Sequence, residues 1–186
     1  AGHHFRKFTE TYRRSEHLEE SSFMVAKCAY HKTLPAELDQ TNTKKAIEQI
    51  QLFINKYPKS KFVEESNTLM DELRTKLHNK AYANSMMYYN VGDYRSAVVS
   101  FKNAITVFPD IPQKDELDYL IVESALLYAE KSILKVQKAR YEAVQFEIAE
   151  YYLEHDKSNP YFSKVQKIEE QAKKAIKTLA ENEMPK

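Results

Sequence analysis

Gly92-Asp93-Tyr94-Arg95-Ser96-Ala97, followed by Phe101, Ala104-Ile105 and Pro109, is the stretch that decides how this chain folds. Ala97, Phe101, Ala104 and Ile105 recur at intervals that place them on one face of a helix. Gly92-Asp93 separates that helix, spanning about 94–108, from a preceding one ending near residue 91. Pro109 stops it, because proline disfavours helical geometry in the residue before it.

The same pattern occurs upstream. Ala46, Ile50, Ile54, Tyr57, Pro58, Glu64 and Glu65 precede Ala97, Phe101, Ile105, Phe108, Pro109, Asp115 and Glu116 by a constant 51 residues. A further copy lies 45 residues earlier, where Phe8, Tyr12, Ser15, Glu19, Glu20 and Ser21 answer to Phe53, Tyr57, Ser60, Glu64, Glu65 and Ser66. Each unit reads as an amphipathic helix ending in an aromatic residue, a polar or proline turn, and a second helix rich in Glu and Lys. Ser15 and Ser60 stand where an N-cap is wanted, and Asn159-Pro160 repeats the logic as cap and first helical residue. Eight helical segments are predicted, at about 3–13, 16–33, 43–57, 61–91, 94–108, 113–135, 138–155 and 160–182. The run 61–91 lacks Pro and Gly and reads as two solenoid helices fused or barely broken. Leu34–Asn42 is the longest irregular piece, either a functional loop or a tolerated insertion.

Composition narrows the function. The 186 residues carry a net charge of +1 with lysines and glutamates interspersed, which gives no basic face for nucleic acid. Gly2 and Gly92 are the only glycines, too few for phosphate-binding loops. No apolar run of membrane-spanning length occurs. Cys28 is alone, so no intrachain disulfide forms, and it reads as a small apolar residue between helices. The start at Ala1 reads as a processed or engineered one, with any targeting segment upstream.

The unit at about 78–111, with Ser85 and Tyr88 one helix before Gly92-Asp93-Tyr94, resembles the 34-residue tetratricopeptide repeat. That resemblance implies an all-α solenoid of stacked antiparallel helix pairs. Ala26, Ala125 and Ala143 fall at comparable points, with about six extra residues between Ala125 and Ala143. The order of pieces is narrower still. Phe23-Met24-Val25-Ala26-Lys27-Cys28-Ala29-Tyr30 leads into the loop with Pro35 and Asp39-Gln40-Thr41. Then come Lys45-Ala46, Phe53-Ile54, Tyr57-Pro58, a helix with Leu69, Leu73 and Leu77, Ala81-Tyr82, and Tyr88-Tyr89 ahead of Gly92. This resembles the BamD (ComL/YfiO) family of outer-membrane assembly lipoproteins, most strongly over residues 8–110. The resemblance implies five such repeats, with this chain beginning inside the first, and a lipidated cysteine upstream that is not Cys28. It implies a place at the periplasmic face of the outer membrane. The protein partners implied are an Omp85-type barrel subunit and unfolded outer-membrane proteins, with the membrane met only through the anchor.

The repeat register puts Phe23, Lys27, Tyr30 and His31, and then Tyr82, Met86, Tyr89 and Asn90, on the concave face as a peptide or partner groove. Inter-repeat packing is the competing reading for each of them. On this division 1–111 holds the groove and 112–186 the complex-docking repeats, ending in an amphipathic helix (Val165, Ile168, Ala172, Ala175, Ile176, Leu179) that caps the solenoid or docks a neighbour. Glu19-Glu20 and Glu64-Glu65 point about 100° apart and favour a helix start over acid–base catalysis. His3, His4, His17, His31, His78 and His155 form no recognisable metal or catalytic set, and no cofactor is expected. A non-enzymatic scaffold of β-barrel assembly is the expected function. Another periplasmic adaptor coordinating cell-wall and envelope growth, and a cytosolic peptide-binding co-chaperone, remain alternatives.

Overall fold

The computed structural model describes residues 1–183, and within them every regular element is a helix. In chain order these are α1 (Gly2–Thr11), α2 (Leu18–Tyr30), α3 (Thr41–Lys56), α4 (Val63–Asn90), α5 (Tyr94–Val107), α6 (Lys114–Glu130), α7 (Leu134–Glu154) and α8 (Phe162–Glu183). The run read as two fused helices is the single helix α4. Successive helices pack on one another, α1 on α2, α5 on α6, α6 on α7 and α7 on α8 across short turns and α2 on α3 across residues 31–40, so each such pair runs antiparallel. The fold is all-α, of the tetratricopeptide-type solenoid class.

The chain forms two compact units, Ala1–Lys80 and Ala81–Lys186. In the first, Phe23, Ala26, Ala46, Ile50, Phe53, Met70 and Leu73 make the core. In the second, Ala97, Phe101 and Ala104 of α5 join α6, α7 and α8, with Ala81, Tyr82, Met86 and Tyr89 packed against them. That packing ties the last turns of α4 to the second unit. Val165 and Ala172 of α8 are fully buried there, so α8 closes this core from its own end.

The aligned positions are alike in burial as well as in residue type. Ala46 and Ala97, and likewise Ile50 and Phe101, are wholly buried. The aromatic joints are alike too. Tyr12, Tyr57 and Phe108 end their helices at φ of −110°, −131° and −130° with ψ of 59°, 63° and 78°. In each, the residue three on donates its amide to the aromatic residue's carbonyl, and the residue three beyond that repeats the bond. Ser15 and Ser60 do not cap helices directly. Their hydroxyls accept from the amides of His17 and Phe62, two residues on, within the turn that precedes each helix. Asn159 does the same for Tyr161, so Pro160 lies in the turn and α8 starts at Phe162.

The α6–α7 joint lies at 131–133, earlier than expected, and it forms without Pro or Gly. Ile133 is extended, Arg140 donates to the Ser132 hydroxyl, and Gln137 donates to the Glu130 carbonyl at 3.2 Å. In this arrangement Tyr141 and Val144 fill the places of Phe101 and Ala104, whereas Ala143 is exposed. The additional residues of the last repeat therefore lie at the end of α7, not between its two helices.

The Leu34–Asn42 segment is ordered by its own side chains. Buried Gln40 donates to the carbonyls of Pro35 (2.6 Å) and Leu38 (3.0 Å), and its own carbonyl accepts from Thr43. Lys80 reaches the Leu38 carbonyl at 2.6 Å, and Leu38 itself is exposed.

At the α4–α5 joint, Gly92 adopts φ +79° while Asp93 donates its amide to Tyr88 and Gly92 to Tyr89, closing the helix in a left-handed cap. The Asp93 carboxylate then accepts from the Ser96 amide at 3.1 Å. Gly92→Ala is expected to cost about 1–2 kcal/mol, because a Cβ disfavours that conformation. Phe101→Ala is expected to cost about 3–5 kcal/mol through the cavity it leaves. Denaturant unfolding monitored by helical circular dichroism checks both.

Candidate protein-binding surfaces

Of the four residues expected on α2, one is not at a surface at all. Phe23 is 3% exposed, stacked on Phe62 at 4.6 Å and tilted against Phe53 at 5.5 Å. The next turns are half exposed and engaged with α4. The Lys27 ammonium lies 2.7 Å from the Glu65 carboxylate, and the Tyr30 hydroxyl donates to Glu72. Lys76 stands over the Tyr30 ring at 5.6 Å and donates to Thr33. His31, just past the helix, is exposed and edge-on to Tyr30. This face of the first unit is a polar seam with one aromatic ring, and it holds Lys27, Tyr30 and His31 together.

The second unit brings its quartet into a denser arrangement. Tyr82, Met86 and Tyr89 are half buried against the core, while Asn90 is exposed at the last turn of α4. Tyr89 donates to Glu123 at 2.7 Å, and Tyr119 donates to the other oxygen of the same carboxylate. Tyr119 stacks on Tyr161 with ring centres 5.0 Å apart, and Lys164 lies over both rings at 5.0 and 5.2 Å. Tyr152 donates to Glu169. Sequence reading missed Glu123, Tyr119, Tyr161 and Lys164. A signal was present, since Glu123 follows Tyr89 by 34 residues, one repeat length, as Glu116 follows Tyr82. The result is a band of rings, carboxylates and one ammonium in which buried Tyr119 supports Tyr89, Tyr161 and Lys164, the members placed for non-covalent contact with a polypeptide.

The histidines expected to be unconnected include one that is not. His155, with its side chain 8% exposed, lies 2.9 Å from Asp118. The Asn159 carbonyl oxygen accepts from Tyr151 and from the Tyr161 amide, which turns its NH2 toward His155 Nδ1 at 3.0 Å. Nε2 is the ring atom that faces Asp118, and Nδ1 the one that faces Asn159. Glu154 completes a trio of metal-ligand types with Asp118 and His155. Lys114 already bridges the two carboxylates and holds Glu154 below the usual carboxylate range by its hydrogen bond. The donors are spent on their neighbours, so this cluster works as an ionic joint between α6 and α7.

Burial pushes the Tyr151 hydroxyl up to about 12. Burial, and then hydrogen bonds to Glu123 and Glu169, move Tyr89, Tyr119 and Tyr152 the same way. A phenol whose folded value lies above its ordinary 10.0 keeps its proton longer folded than unfolded. Its stabilisation is whole below pH 10 and is lost as pH climbs toward 12. Part of the tyrosinate absorbance is expected to rise in step with helix loss across that window, and Glu123→Ala should bring the step to lower pH.

No helix among the described residues is long and apolar enough to cross a membrane. No curated protein matches the chain. Residues 1–139 match a family described as YfiO, outer membrane lipoprotein, and the match runs from α1 through the start of α7. The chain belongs to the YfiO family of outer membrane lipoproteins.

Proposed function

We propose that this protein is a non-enzymatic scaffold of outer-membrane β-barrel assembly, binding an Omp85-type barrel subunit and segments of nascent outer-membrane proteins. Membership of an outer membrane lipoprotein family supports an outer-membrane role. The observation that carries the binding reading is the tyrosine–glutamate band of the second unit, where Tyr89 and Tyr119 share Glu123 and Lys164 covers two rings. Rings fixed by hydrogen bonds lose little freedom on contact, and ordering costs are what most reduce affinity for an extended ligand. Nascent barrel strands, rich in aromatic side chains, are ligands of that kind. In this reading the protein sits at the periplasmic face, held by a lipid anchor preceding the residues described, and captures its partners without bond chemistry.

The test is affinity purification from native outer membrane with the full-length, tagged precursor as bait. An Omp85-type barrel protein should be recovered at near-stoichiometric yield. A urea-unfolded outer-membrane protein should bind the purified chain roughly tenfold more weakly after Tyr89→Ala with Tyr161→Ala, about 1.4 kcal/mol. Recovery of cell-wall enzymes without the barrel protein would sink the assembly reading.

A further inference from the structure

A cleft of about 300 Å³ opens between α5, α6 and α7 in the second unit, away from the tyrosine band. Its floor is apolar, made by Ile105, Ile121 and Tyr151. Its walls carry the carboxylates of Asp118, Glu147, Glu150 and Glu154. Two ammonium groups answer them. Lys102 lies 2.7 Å from Glu147, and Lys114 is shared by Asp118 and Glu154. Negative charge is thus in excess over an apolar floor, and Glu150 is exposed at the lip. One turn to either side of Glu150, on the same face of α7, stand Phe146 at 61% and Leu153 at 81% exposure. Most of α7 lies beyond the residues matched by the family.

We propose that this cleft is a docking site for an arginine side chain of a protein partner, with Phe146 and Leu153 covered by apolar residues flanking that arginine. The inference rests on the scaffold reading and names a contact surface for it. An arginine stem fits the Ile105–Ile121 floor, and the guanidinium reaches the exposed Glu150 carboxylate in the fork geometry that lysine lacks. A buried arginine ringed by apolar contacts is the usual anchor of such interfaces. The acidic excess selects a basic partner surface and opposes a second copy presenting the same face.

Photocrosslinking in cells tests this with the full-length protein carrying p-benzoylphenylalanine in place of Phe146 or Leu153, each variant first matched to wild type in thermal unfolding. Adducts should form at both positions with one partner, and the linked peptide should contain an arginine. Glu150→Lys, an exposed substitution, should lower the adduct yield at least tenfold. Exchanging the mapped arginine for glutamate should restore it in that background. Yields indifferent to Glu150→Lys, a linked segment without arginine, or adducts only between copies of the chain overturn the proposal. With the same probe in place of Tyr82, adducts there but none at Phe146 or Leu153 overturn the cleft and leave the scaffold reading standing. Silence at all three positions defeats both.

Discussion

Two helices can cross at close range only where one of them carries almost no side chain at the crossing point. Many of the helix contacts here are arranged around that limit. Ala26, Ala46, Ser85, Ala97 and Ala129 are all buried at such positions, and large residues such as Ile50, Leu73, Phe101 and Val144 fill the space the close approach leaves beside them. A methyl or hydroxymethyl group lets the backbones meet, and the neighbouring wedge sets the next helix at its angle. Gly2 carries the principle furthest, since a Cβ there would stand 3.1 Å from the Cβ of Cys28 on α2. Cys28 thus lies at a close approach of α1 to α2, with packing as its role.

Around this apolar alternation runs a polar system that repeats less faithfully. In both units a side chain on one helix engages a carboxylate on the next element of the same layer, as Lys27 does Glu65 and Tyr89 does Glu123. These pairs are partly exposed, and their contribution to stability is modest beside that of the core. What they do firmly is fix the orientation of rings and ammonium groups that solvent would otherwise leave mobile.

The sequence makes the helices legible because apolar spacing and the aromatic joints recur, and α3, α5 and their turns fall where the repeat puts them. It misplaces the α6–α7 joint because that turn is made by Ser132, Arg140 and Gln137, whose hydrogen bonds leave no glycine or proline to read. It assigns Phe23 to a groove because periodicity alone does not tell which of two apolar-facing directions meets the next helix, and Phe62 takes that ring into the core. The glutamates that complete the tyrosine band resemble any solvated helix face until the partner hydroxyls are brought to them. His155 is the same case, since its partners come from α6 and from the turn beyond α7.

The long segment before α3 has a consequence of a different order. Gln40 and Lys80 occupy its carbonyls at Pro35, Glu37 and Leu38. A strand from another chain would need those oxygens to extend a sheet along it, and finds them already engaged. The irregular segment is therefore closed to backbone pairing, and so to the edge-to-edge association that threatens exposed extended chain. Whatever meets Leu34 or Leu38 does so through side chains, against a contour set when the chain folded.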